Sequence, residues 1–189
     1  MNYKIKVISL LRREDRRNLF NSRFSNYEFE FVDAVDGQTY QMTEEDWKFV
    51  EGNSYNERGI HIPSLVCANK MHIELLKECS MGDIPYVIFE DDTQIIKEID
   101  FSFDELSKKQ IDVLWFMNYP SILTYMVWPS GATKLLESID KLDRGLDDKF
   151  YDLRENKNII QEEFKTQYFY QIPGQDSDIG KNIHYKKLL

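Results

Sequence analysis

Residues 84–89, Ile-Pro-Tyr-Val-Ile-Phe, are apolar at every position and then meet three acids in a row, Glu90-Asp91-Asp92. A strand that is apolar on both faces has to be covered from both sides, the situation of a mostly parallel sheet with helices above and below it. The clearest helical pattern stands just before this strand. From Ser64, the residues Leu65, Ala68, His72, Leu75, Leu76 and Cys79 fall at steps of three and four, and Gly82 closes the run.

The rest of the chain repeats this alternation. Residues 5–11 form a second buried strand, followed by the charged run Arg12-Arg13-Glu14-Asp15-Arg16-Arg17, which opens a helix carrying Leu19, Phe20 and Phe24. Residues 28–35 read as a strand that stops at Asp36-Gly37, a turn signal. Thr43-Glu44-Glu45-Asp46 marks a helix start, with Asp where a capping box prefers Glu or Gln. Residues 111–117, 123–128 and 166–172 read as further strands, and Ser130-Gly131-Ala132 starts a helix through Leu135, Leu136 and Ile139. Strands alternating with helices predict an α/β fold in a single domain.

The chain has 189 residues, within the range of one domain, and no internal repeat. Its formal net charge is −9, which removes duplex nucleic acid as a partner, since such proteins need a basic face. Cys67 and Cys79 fall on one helix, about 18 Å apart at 1.5 Å per residue, so they are expected as free thiols. The first residues lack an apolar core with a cleavage site, and no stretch approaches the length of a membrane span. These features place the protein in the cytoplasm by expectation.

In open α/β sheets ligands bind at the carboxyl ends of strands. Three strands end here in suggestive residues: Arg12 to Arg17, Asp36-Gly37, and Glu90-Asp91-Asp92. In extended chain Glu90 and Asp92 point to one side and Asp91 to the other. Two carboxylates beside a nucleotide diphosphate would repel it unless a hard divalent cation, Mg²⁺ or Mn²⁺, bridges them. Guanidinium suits phosphate geometry, which nominates Arg12 and Arg16 as nucleotide contacts. Each feature also has a plain structural use: acids can solvate a loop or cap a helix, and Asp before Gly is a common turn.

Four segments together resemble glycosyltransferase family 25, which includes lipooligosaccharide and procollagen galactosyltransferases. Ser9-Leu10-Leu11-Arg12-Arg13-Glu14-Asp15-Arg16-Arg17 is similar to the family's opening Asn-Leu-x-Arg-x-x-Asp-Arg-Arg, with Ser9 in place of Asn. Ala34-Val35-Asp36-Gly37 and Val87-Ile88-Phe89-Glu90-Asp91-Asp92 match its Ala-Val-Asp-Gly and its acid-tipped strand. The segment from Tyr125 through Gly131-Ala132 to Leu135-Leu136 is similar to a further family stretch. Gln175-Asp176-Ser177-Asp178-Ile179 echoes a Ser-Asp-Ile near the family's C-terminus. The family's Gly-Cys-x-x-Ser-His is altered: Cys67 is kept, Lys70 and Met71 replace Ser and His, and His72 follows one residue later, about 100° around a helix.

The resemblance implies a GT-A fold, a Rossmann-like sheet over residues 1–173 with a polar tail at 174–189. It implies inverting transfer of a hexose, galactose or glucose, from a UDP-sugar to a glycan or glycoprotein hydroxyl with Mn²⁺ or Mg²⁺. Asp92 is then the expected metal ligand, joined by His184. Leu10, Arg12, Arg16, Asp36, Glu90 and Asp91 are expected to contact the donor, with Asp36 toward the uridine. An inverting transferase needs a carboxylate to take the acceptor's proton. Asp147 and Asp148 hold the corresponding place, although acids at a helix start are also favoured by its dipole. His72 reads as a core or boundary histidine. Two other readings stay open: a non-catalytic relative that binds nucleotide sugar, and a metal-dependent phosphohydrolase. The second is disfavoured because only one strand ends in clustered acids.

Overall fold

The computed structural model describes residues 2–50, 59–117, 119–139, 145–171 and 178. Strand β1 (Lys4–Leu10) buries Ile5, Val7 and Ile8, and its Lys6 is buried as well. That amine is held by Glu30 at 2.8 Å and Glu78 at 3.2 Å, which is what lets a cation lie in the sheet. β1 runs parallel to β2 (Glu30–Ala34) on one side and to β3 (Tyr86–Glu90) on the other.

Next come β6 (Thr124–Val127), β5 (Val113–Trp115) and β7 (Gln161–Glu163), giving a six-stranded sheet of order β2-β1-β3-β6-β5-β7. Only β6 runs against the others, pairing antiparallel with both β3 and β5. The mostly parallel α/β sheet expected from the sequence is therefore the one the chain adopts. A second, two-stranded sheet pairs β4 (Thr93–Ile95) with β8 (Phe169–Gln171). The strand expected within residues 166–172 is β8, and it lies outside the main sheet, whose edge next to β5 is taken by the polar β7.

Helices cover both faces. α3 (Ile62–Ser80), α5 (Pro129–Ser138) and α6 (Leu146–Asp152) enclose one core, with Leu75, Leu76, Trp115, Tyr125 and Phe150 at its centre. α1 (Glu14–Arg23) and α4 (Phe103–Ser107) enclose the other, an aromatic layer of Phe20, Phe24, Phe89, Phe103, Phe116 and Phe169. α2 (Glu44–Val50) is tied to α3 through Asp46 and Lys70, 2.6 Å apart.

α1 begins at Glu14 instead of Arg12, because the Arg13 N–H bonds the Leu10 carbonyl at 2.9 Å and closes a turn first. Asp46 does complete a capping box despite its shorter side chain: it accepts from the Thr43 N–H at 2.8 Å, while its own N–H bonds Thr43 Oγ1 at 3.2 Å. Both cysteines lie buried on α3 as free thiols. Among the described residues, no helix is long and apolar enough to cross a membrane. Apart from Asp178, the expected tail at 174–189 lies outside the described residues, and so does His184.

Candidate active site

Parallel pairing of β1, β2 and β3 brings their carboxyl ends to one edge, with Leu10 opposite Ala34 and Ile8 opposite Glu90. A cleft of about 610 Å³, including its open mouth, lies at this edge. Its walls include Leu10, Arg16, Val35, Gly37 and the whole acidic triplet. Gly37 is there for a steric reason: a Cβ at this position would stand 2.4 Å from the Ser64 Cα, so only glycine lets the turn rest against the start of α3.

The backbone of the triplet is fixed. The Glu90 N–H bonds the Leu123 carbonyl at 2.9 Å, the Asp91 N–H bonds Ile8 at 3.1 Å, and Thr93 Oγ1 donates to the Glu90 carbonyl at 2.7 Å. Because the strand ends at Glu90 and turns, the side chains do not alternate as in extended chain. Asp91 and Asp92 share one neighbour, Arg16, whose Nη1 lies 3.1 Å from Asp91 and 3.7 Å from Asp92. Asp91 also accepts from Ser9 Oγ at 2.7 Å. Glu90 instead turns toward α3, where His72 Nε2 lies 3.7 Å from its carboxylate.

These carboxylates are short of water. Burial, with the charge of Glu90 added, pushes Asp92 up to about 6. Burial and the charge of Asp91 push Glu90 up to about 7. Asp91 is raised by burial but held back by Ser9 and Arg16. Asp92 Oδ2 accepts from Gln171 Nε2 at 2.9 Å, whereas Oδ1 is buried with no hydrogen-bond partner among the described residues. Gln171 was not foreseen from the sequence. Its place comes from the Thr93–Gln171 pairing of β4 with β8.

Beside the triplet the arginine-rich turn gathers around one carboxylate. Asp178 accepts from Arg12 Nη2 at 2.6 Å and Arg13 Nη1 at 2.7 Å, and lies 3.6 Å from Arg16 Nη2. Arg12 also grips Asp36 at 2.5 Å, and this contact, ahead of burial, lowers the Asp36 carboxyl. Asp36 accepts the Gln38 N–H at 2.9 Å, so it serves its turn as well.

Asp147 and Asp148 open α6. Asp148 is exposed, whereas Asp147 accepts the Ile122 N–H at 2.8 Å. The residue as a whole is exposed, yet loss of water around the Asp147 carboxyl and then the charge of Glu90 raise it, against the Ile122 N–H. The structure thus gathers Leu10, Arg12, Arg16, Asp36, Glu90, Asp91 and Asp92 around one cleft edge, with Asp147 electrostatically in touch with Glu90.

The acids and arginines side by side form a site of mixed charge. Carboxylate oxygens suit a hard cation, and guanidinium groups suit a polyanion. Among the described residues, no three His, Cys, Asp or Glu side chains form a complete metal cage. The unpartnered Asp92 Oδ1 fits one ligand of a cation whose other ligands come from a bound anion and water, the usual arrangement for Mg²⁺.

The fold is similar to that of a glycosyltransferase involved in glycosylation of the major capsid of PBCV-1, with TM-score 0.49, 10% identity, and coverage of 94% of this chain and 95% of that one. It is also similar to Drosophila β1,4-galactosyltransferase 7 in complex with manganese, UDP-Gal and xylobiose, with TM-score 0.49, 11% identity, and coverage of 98% and 78%. A third likeness is to the CTP:phosphocholine cytidylyltransferase of Streptococcus pneumoniae, with TM-score 0.43, 11% identity, and coverage of 91% and 94%. No curated protein matches the chain by sequence alone. The family model described as glycosyltransferase family 25 (LPS biosynthesis protein) matches residues 2–123. That span contains β1, β2 and β3, whose ends make the cleft, and on it the chain belongs to glycosyltransferase family 25 and is a glycosyltransferase.

Proposed function

We propose that this glycosyltransferase moves a hexose, galactose or glucose, from a UDP-sugar to a glycan or protein hydroxyl, with inversion and with a divalent cation, Mn²⁺ or Mg²⁺, held by Asp92. The observation that carries this reading is the buried, unpartnered Oδ1 of Asp92, a carboxylate whose other oxygen lies 3.7 Å from Arg16. A buried carboxylate oxygen without a partner is costly, and a cation would offset that cost. The cation would supply electrostatic neutralisation of the leaving diphosphate.

The chain's own residues take the remaining roles. Arg12 and Arg16 bind the diphosphate; they already embrace the carboxylate of Asp178. Asp36, fixed by Gln38, meets the uridine together with Leu10. Glu90 and Asp91 hold the ribose or an ordered water. Asp147, with its raised affinity for protons, takes the proton of the acceptor hydroxyl. Asp148 is the second candidate for that step and His184 for a further metal ligand.

The reading is tested by thermal unfolding with a panel of UDP- and GDP-sugars, with and without Mn²⁺, on wild type and Asp92→Asn. A ligand at 100 times its Kd adds about 2.7 kcal/mol, or roughly 5 to 10 °C for a chain of this size. One UDP-hexose is expected to give such a shift only with Mn²⁺, and Asp92→Asn is expected to lose it. No shift with any nucleotide sugar would overturn the reading.

A further inference from the structure

His72 is fully buried on α3, between the helix and the end of β3. Its Nδ1 lies 3.1 Å from the hydroxyl of Tyr125, a residue of β6 that is itself fully buried and stands opposite Ile88 of β3. Its Nε2 has no hydrogen-bond partner among the described residues, and the Glu90 carboxylate stands 3.7 Å away.

The chemistry of the two rings fixes the direction of this chain. Tyr125, at zero exposure, stays a neutral phenol, so its single hydroxyl proton is available to donate to Nδ1. A neutral imidazole that accepts at Nδ1 carries its proton on Nε2, which is the nitrogen facing Glu90. The main chain of Glu90 is locked on both sides, so the side-chain torsions are what remains to be set. Among the described residues, Glu90 is also the one member of the acidic triplet whose carboxylate accepts no hydrogen bond. Its side chain is 19% exposed.

Filling the core alone would not call for histidine here. An apolar ring would do the same without stranding a buried N–H.

We propose that Tyr125 and His72 form a buried relay that positions Glu90: the Tyr125 hydroxyl sets the imidazole tautomer, and the His72 Nε2–H turns the Glu90 carboxylate to the orientation in which it holds the donor. Closing the 3.7 Å gap takes a small rotation of the Glu90 side chain and occurs as the donor fills the cleft. His72 touches no ligand itself and acts only through Glu90. The inference rests on the reading of Glu90 as a donor contact.

The experiment is a double-mutant cycle on affinity for UDP with Mn²⁺, joined to long-range ¹H–¹⁵N spectra of the imidazoles. Wild type is expected to show His72 as the Nε2–H tautomer, and Tyr125→Phe to lose that preference. His72→Phe is expected to weaken UDP binding about five- to tenfold, and Tyr125→Phe two- to threefold. In a Glu90→Gln background both effects should fall below twofold. Tyr125→Phe removes one oxygen and keeps the ring, so it carries the cycle if His72→Phe does not fold. Equal losses with and without Glu90, or a proton on Nδ1, would overturn the relay. If Glu90→Gln leaves UDP binding unchanged, the donor-contact reading of Glu90 falls instead, and the relay is then decided by the tautomer alone.

Discussion

Asp46 and Asp92 are both buried aspartates, at 4% and 7% exposure, yet their surroundings drive them in opposite directions. Asp46 receives the Thr43 N–H, the Tyr40 hydroxyl at 2.7 Å and the Lys70 amine at 2.6 Å. Burial alone would raise it, but Lys70 and these donors win and lower it to about 2. Its charged form therefore stabilises the fold by roughly 2 kcal/mol above the unfolded pKa of about 4, and this is lost as pH falls through 2. Asp92, pushed up to about 6, has the opposite sign: without a cation the fold prefers it protonated, and that preference is lost as pH rises through 6. Asp46→Asn should thus destabilise the protein at pH 7 with a deficit that shrinks toward pH 2. Asp92→Asn should stabilise the metal-free protein at pH 7.5 by roughly 2 kcal/mol, an advantage that fades by pH 4. Urea midpoints across pH measure both, and matching signs would refute the assignment. Lys70 has a structural use in this network, since it ties α3 to the start of α2.

Elements meet at the positions where side chains are missing. Gly131, in the first turn of α5, is one: a Cβ there would stand 1.9 Å from the Asp112 carbonyl at the entrance to β5. Asp112 is buried and ties the same corner together, accepting from Ser130 at 2.9 Å, Lys134 at 2.5 Å and the Ile160 N–H at 2.7 Å. Gly131→Ala has to push helix and strand apart, and a loss of about 3 kcal/mol is expected in denaturant unfolding. An unchanged midpoint would show that the corner yields. At this scale the long apolar strands and α3 were legible, because continuous burial writes a continuous apolar pattern. β7 was not, since Gln-Glu-Glu at a sheet edge has no such pattern. The β4–β8 pair was hidden because each strand has three residues and the pairing spans most of the chain's second half. Gln171 reaches Asp92 only through that pairing, and His72 faces Glu90 only because of how α3 is rotated against the sheet. Neither the pairing nor the rotation is encoded locally.

For the molecule as a whole, the family match spans β1, β2 and β3, and the sheet topology joins their carboxyl ends at the cleft where the proposed function puts the donor. The match stops at residue 123, so β6, α5, α6, β7 and β8 lie outside it, together with Asp147 and Gln171. The cleft is closed by contacts between distant parts of the sequence: Ser9 and Asp91, 82 positions apart, meet across it. That separation has a consequence in time. The β5–β6 hairpin, with Trp115 opposite Tyr125, needs only a short loop and can close early, whereas β1 must find β3 across most of the N-terminal half. In pulse-labelled hydrogen exchange during refolding, the amides of the hairpin should become protected before that of Asp91, which is bonded to Ile8. Protection in the reverse order would refute this sequence of events. Glu90, Asp91 and Asp92 then enter their dry surroundings only as β1 docks on β3, the same event that brings Arg16 of the following helix against Asp91 and Asp92.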